Sequence, residues 1–164
     1  MPLGVEIERK FVLEREPENL DANASEELEQ GYVAITGDGV EVRVRRYGPQ
    51  AFLTIKSDGQ GERVEEEIEI DQRRFWSLWP LTESRRLRKT RYRIPADAGL
   101  TIELDVYHGQ LEGLITAEIE FDSAEAAAAF RPPAWLGREI TDDPGYKNKR
   151  LATHGLPVPA RPTN

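Results

Sequence analysis

Val5-Glu6-Ile7-Glu8-Arg9-Lys10-Phe11-Val12-Leu13, near the start of the chain, alternates with the period of a β-strand and not of a helix. Successive strand side chains point to opposite faces, so Glu6, Glu8 and Lys10 share one side, while Val5, Ile7, Phe11 and Leu13 share the other with Arg9 as the odd member. Carboxylates two residues apart on a strand stand about 7 Å apart along it, close enough for both to reach one hard divalent cation through oxygen. Lys10 is one step further on, where it can hold an anion bridged to that cation. For an isolated Glu-x-Glu the plain reading is a solvated face of an antiparallel sheet. The remainder of the chain decides between the two.

With 164 residues and 38% hydrophobic residues, the chain is expected to form one domain over residues 1–154, followed by a loose proline-containing tail over 155–164. A net charge of -8 argues against a basic nucleic-acid-binding surface, so a polyanion needs a local basic pocket. Without cysteine and with only two histidines, a thiolate or imidazole metal cage is excluded, and any metal is held by carboxylates. No run approaches the ~18 apolar residues of a membrane span. With no apolar signal segment ahead of the first strand, the expectation is a cytoplasmic protein, a monomer or homodimer, that binds neither nucleic acid nor membrane.

Along the chain, residues 14–29 are acidic and read as a connection with one short helix. Strands are predicted over 30–35, 40–47, 52–56, 63–70, 84–94, 100–107 and 114–121, separated by glycine- and proline-containing turns. Asp71 and Ser123 are positioned to cap helices over 72–79 and 124–130, and Asp142 or Asp143 to cap a last helix over 144–152. The strands repeat the pattern of the first: Arg43 and Arg45 oppose Val42 and Val44, Lys56 opposes Ile55, Glu103 and Asp105 oppose Leu104 and Val106, and Glu118 and Glu120 oppose Ile119 and Phe121. Arg63, Glu65 and Glu67 share a side, as do Lys89, Arg91 and Arg93.

These polar sides carry full charges rather than the Ser, Thr, Asn and Gln of an ordinary solvated sheet, with acids and bases in separate blocks by strand. Helices on the apolar sides and charges within describe an α+β fold: a closed eight-stranded antiparallel β-barrel with a polar lumen and helices packed outside. Such a lumen is tolerable when acids cross-pair with bases. Divalent ions and a polyanion can replace some of those pairs.

Glu6-x-Glu8-x-Lys10, Gln30-Gly31-Tyr32, Arg43-x-Arg45, Thr54-Ile55-Lys56, Arg63-x-Glu65-x-Glu67, Lys89-x-Arg91-Tyr92, Glu103-Leu104-Asp105 and Glu118-x-Glu120 occur in this order. The set resembles the CYTH, or triphosphate tunnel metalloenzyme, superfamily. Trp79-Pro80, Pro132-Pro133-Ala134-Trp135 and Tyr146-Lys147-Asn148-Lys149 further resemble its compact bacterial single-domain branch. The resemblance implies an eight-stranded tunnel, dependence on Mg2+ or Mn2+, and hydrolysis of triphosphates, often inorganic triphosphate. The superfamily also holds thiamine-triphosphatases, RNA triphosphatases and class IV adenylyl cyclases, so fold does not fix substrate.

By that resemblance Lys10, Arg43, Arg45, Lys56, Arg63 and Arg91 hold phosphate oxygens. Glu6, Glu8, Glu118 and Glu120 hold the principal metal. Asp105, with Glu65, Glu67 or Glu103, serves a second metal or the attacking water. Tyr32 and Lys89 form a candidate acid/base pair, because a nearby ammonium lowers a phenol's pKa; Tyr32 as a packed or phosphate-contacting wall is the equal alternative. Lys147 either closes the tunnel from the last helix or lies on its surface. The leading expectation is a metal-dependent inorganic triphosphatase. An organic triphosphatase, a class IV cyclase-like enzyme and a non-catalytic polyphosphate-binding module are the alternatives.

Overall fold

A computed structural model describes residues 7–57 and 64–157. The expected Glu6, Arg63 and most of the tail lie outside them. The strands are β1 (Ile7–Val12), β2 (Ala24–Ile35), β3 (Glu41–Tyr47), β4 (Gln50–Lys56), β5 (Glu65–Ile70), β6 (Arg86–Pro95), β7 (Thr101–Tyr107), β8 (Ile115–Phe121) and β9 (Arg138–Glu139). The helices are α1 (Gln72–Leu78), α2 (Ala124–Ala129) and α3 (Asn148–His154).

The strands form one antiparallel sheet of nine, in the order β5-β4-β3-β2-β6-β7-β8-β1-β9, and among the described residues its outer strands do not pair with each other. The expected closed eight-stranded barrel is therefore corrected to an open nine-stranded sheet. Both edges are blunted by other means: β5 carries Glu65, Glu66, Glu67 and Glu69, and β9 has only two residues. Charge and shortness keep an unpaired edge from recruiting another strand. Period-two alternation is identical in open and closed sheets, so it could not have distinguished them.

Two further corrections concern residues 14–29 and the last helix. β2 begins at Ala24, so the last six residues of the presumed connection are strand, preceded by a short 3-10 turn at Leu20–Ala22. The register shifts between Tyr32 and Ala34, a bulge beside the Gln30-Gly31-Tyr32 motif. Gly31 is required there: a Cβ would lie 2.6 Å from the Thr82 side chain.

One face of the sheet is apolar. Phe11, Leu13, Ile102, Leu104, Ile115, Ala117, Ile119 and Phe121 form its main core with Ala127 of α2, and Val44 and Ala51 pack with Phe75 of α1. Side chains of Asp71 and Ser123 cap these helices as expected, accepting from the Arg74 and Ala126 amides. The third helix does not join them. α3 begins only at Asn148, after a 3-10 turn at Pro144–Tyr146 capped by Asp143. Its Leu151 and Ala152 pack against Leu28, Tyr32, Leu87 and Tyr107, which lie on the opposite, charged face. No helix of the described residues is long and apolar enough to cross a membrane.

Candidate active site

Directly opposed residues of paired strands share a face, so register alone decides which charged side chains can meet. Glu8 stands opposite Glu120 and Lys10 opposite Glu118; Glu118 opposite Glu103; Asp105 opposite Arg91. Lys89 is opposite Leu28, which with Gln30 and Tyr32 faces Tyr47, Arg45 and Arg43. Lys56 and Thr54 continue the row to Glu65 and Glu67. Every expected site residue on a described strand thus lies on one face. Lys147 is the exception: it precedes α3 and is exposed.

The deepest part of this face is an ion-pair cluster. Lys89 Nζ donates to Asp105 Oδ2 at 2.7 Å, and Arg91 donates to the same carboxylate through Nε at 2.8 Å and Nη2 at 3.0 Å. Arg91 Nη1 also lies 2.6 Å from Glu103 Oε2. Lys89 and Asp105 are buried, at 1% and 3% exposure. Burial lowers the Lys89 ammonium to about 8, against the pull of Asp105. Burial acts to raise the Asp105 carboxyl, but the Lys89 charge and the Arg91 hydrogen bond outweigh it and bring it to about 2. Burial likewise opposes the Arg91 charge and is outweighed by Asp105 and Glu103, so its pKa is raised. A cluster of this kind is self-neutralising.

On β3 the balance differs. Arg43 Nε and Arg45 Nε are buried without a hydrogen-bond partner among the described residues. Arg45 has only a loose acidic partner, Glu67 at 3.7 Å, and that carboxylate accepts from Thr54 at 2.9 Å. The Tyr47 ring backs the Arg45 guanidinium at 4.6 Å. Burial lowers the Arg45 pKa, and the neighbouring charges of Arg43 and Arg91 act in the same direction. Three guanidiniums therefore converge, and two present unmatched donors to the interior. A multiply charged anion satisfies both conditions.

Tyr32 is buried beside these arginines, its hydroxyl accepting from Gln30 Nε2 at 2.9 Å. Burial raises its phenol pKa, and the Arg43 charge opposes that rise. Lys10 Nζ donates to the Tyr146 carbonyl at 2.7 Å and stands 3.6 Å from Glu118 Oε1. Glu103, Glu118 and Glu120 line one cavity of about 300 Å³.

Among the described residues no three His, Asp or Glu side chains converge as a metal cage. The carboxylates nevertheless fit a hard divalent cation by kind and by placement along β1 and β8. A small hard cation such as Mg2+ takes one or two carboxylates together with substrate phosphates and needs no closed protein cage.

Sequence reasoning missed Glu41, Lys149, Asn148 and Gln30. Lys149 of α3 pairs with buried Glu41 at 2.9 Å, and Asn148 accepts from the Tyr107 hydroxyl at 3.0 Å. Lys149, not Lys147, is the lysine of this segment that reaches the charged face. Gln30 was visible as the first residue of its motif, and Glu41 by its two-residue offset from Arg43.

The CYTH domain family model matches residues 4–154. The chain belongs to the CYTH domain family. This CYTH domain is 47% identical over 147 residues to an inorganic triphosphatase of Nitrosomonas europaea, covering 90% of this chain and 96% of the relative. It is 36% identical over 151 residues to an inorganic triphosphatase of Acetivibrio thermocellus, covering 91% and 94%. A crystal structure of an inorganic triphosphatase superimposes on it with a TM-score of 0.77 and 42% identity, covering 96% of this chain and 99% of that one.

Proposed function

We propose that this CYTH domain hydrolyses inorganic triphosphate to pyrophosphate and phosphate with a divalent cation, Mg2+ or Mn2+. One observation carries the reading: the buried, unmatched Nε donors of Arg43 and Arg45. The names of the relatives agree with it.

Phosphoryl transfer asks the protein mainly for positioning and charge stabilisation. Arg43 and Arg45 grip the phosphate chain from β3, with Lys10, Lys56 and Arg91 along the same face. Arg91 stays aimed because Asp105 and Glu103 hold three of its nitrogens. Glu8, Glu118 and Glu120 are the carboxylates that would hold the cation, joined by Glu6, with Asp105, Glu103, Glu65 and Glu67 as further acids on the face. Held there, a divalent cation would supply charge neutralisation of phosphate oxygens and activation of water. Proton removal from the attacking water is assigned to Tyr32, with Lys89 acting from a distance, since its ammonium is bonded to Asp105 and stands opposite Leu28, four residues along β2 from Tyr32. Burial works against the phenolate this requires, and the Arg43 charge opposes that effect.

Phosphate release is to be measured from triphosphate, pyrophosphate, ATP and thiamine triphosphate, with Mg2+, with Mn2+ and in EDTA. Metal-dependent turnover of inorganic triphosphate, abolished by EDTA and by Glu8→Gln in a folded protein, is expected. Full turnover in EDTA contradicts the metal assignment, and preference for thiamine triphosphate or ATP contradicts the substrate.

A further inference from the structure

Ala134 and Trp135 of the Pro132-Pro133-Ala134-Trp135 turn meet Tyr146 at a second cavity. It measures about 1310 Å³ and lies beside β1 and β9, where Val12, Trp135, Arg138 and Tyr146 form part of its wall. It is a half-open groove, roomy enough for an organic ligand but not enclosing it.

Trp135 is displayed there rather than packed. Its turn is pinned immediately afterwards: Leu136 is fully buried, and Gly137, at φ +78°, lies so close to β1 that a Cβ would sit 2.3 Å from the Val12 carbonyl oxygen. Only glycine fits such an approach. Trp135 itself retains 37% exposure. A large indole fixed on a rigid turn and left open to a cavity is a stacking platform, and every planar base offers a π-face to it.

The charges in the same wall specify the rest of the ligand. Arg138 Nη2 donates to the Tyr146 hydroxyl at 3.3 Å, with its guanidinium 6.0 Å from that ring centroid. Arg15 adds a second guanidinium, while Glu14, Glu16 and Glu18 bring three carboxylates. Two guanidiniums suit a single phosphate group. The carboxylates, in excess of them, disfavour the higher charge of a phosphate chain more than that of one phosphate group and can accept from sugar hydroxyls or an exocyclic amine.

We propose that this cavity binds a nucleoside monophosphate, its base stacked on Trp135 and its phosphate held by Arg138 and Arg15. The site adjoins the charged face, with which it shares Val12, and does not depend on the reaction assigned there. The two are nevertheless joined, because the Tyr146 carbonyl accepts from Lys10 Nζ.

Calorimetric titration of the full chain with AMP in EDTA tests this. Saturable binding is expected, weakened about tenfold or more by Trp135→Leu, which removes the stacking surface, and about tenfold by Arg138→Ala, which removes a charge-assisted contact. Adenosine should bind more weakly than AMP. Arg43→Ala should leave AMP binding unchanged, and Trp135→Leu should keep the wild-type kcat for triphosphate. Absence of saturable AMP binding overturns the proposal. So does binding that survives both Trp135→Leu and Arg138→Ala, or that is lost in Arg43→Ala, since the nucleotide then occupies the charged face or the bare surface. Arg138 is exposed, so its variant keeps the test open if Trp135→Leu lowers stability.

Discussion

Lys89 and Arg91 on β6, and Arg43 and Arg45 on β3, lie on one face of one sheet, but their charges are met differently. The first two are locked onto Asp105 by three hydrogen bonds. The second two leave buried Nε atoms without hydrogen-bond partners among the described residues. A buried charge held by its own carboxylates belongs to the scaffold, because removing that partner would leave it uncompensated. A buried donor with no partner holds an unmet interaction that a ligand can supply. The difference separates residues held in place by carboxylates of the same face, Arg91 among them and thereby aimed at the anion, from the β3 arginines whose open donors receive it.

Tyr32 gives the largest expected effect and lies between these two regions. It stands opposite Arg43 and four residues along β2 from Leu28, the residue opposite Lys89. If it accepts the water's proton with help from Lys89, Tyr32→Phe lowers kcat by about 10²–10⁴-fold with little change in triphosphate affinity. Lys89→Ala then shows a similar loss, and the double variant loses much less than the product, as residues acting as a unit do. Near-wild-type kcat in Tyr32→Phe makes the tyrosine a wall that positions Arg43, and directs the search for the base to Glu65, Glu67, Glu103 and Asp105.

The next effect concerns the scaffold cluster. Asp105→Ala leaves Lys89 and Arg91 buried without their shared carboxylate, and should cost about 3–5 kcal/mol in urea unfolding. A loss below about 1 kcal/mol would mean that the cluster is solvated and that the comparison with β3 fails. The acid limb of stability sharpens the same point with a smaller effect. The folded Asp105 carboxyl lies at about 2, below the ~3.9 of an unfolded aspartate. A depressed carboxyl stabilises the fold above its unfolded value, and that contribution is lost as pH falls from about 4 through 2, roughly 2–3 kcal/mol in all. Asp105→Asn should remove this part of the pH dependence; an unchanged acid limb would place its origin elsewhere.

Much of the charged face was legible because alternation on a strand assigns sides without knowledge of the fold. Arg43, Arg45, Lys56, Lys89, Arg91, Asp105, Glu118 and Glu120 therefore fall on one face together. What alternation cannot express was lost. Closure depends on how the outer strands meet, and the charged β5 and two-residue β9 remain edges. The first half of β2, Ala24–Glu29, is acidic and exposed at most positions, so it lacks the apolar side that marks a strand. α3 carries Lys149 and Arg150 beside a short Leu151-Ala152 patch, too small to reveal which face it covers. Its seat is fixed by Glu41 and Tyr107, which are distant in sequence. The partnered and unpartnered arginines were indistinguishable as residue types.

The most direct test of that distinction is the effect of inorganic triphosphate on thermal unfolding in EDTA, compared between wild type, Arg43→Ala, Arg45→Ala and the exposed-pair control Arg93→Ala. Each β3 substitution removes a charge-assisted contact of about 1.5–3 kcal/mol, which corresponds to roughly one to two orders of magnitude in affinity. Arg93 pairs with Glu26 with both side chains over 40% exposed and should matter little. A triphosphate-induced rise in Tm that is retained in Arg93→Ala and largely lost in Arg43→Ala and Arg45→Ala is the predicted result. An equal rise in all four proteins would contradict the account, because the unmatched β3 donors would then take no part in holding the anion.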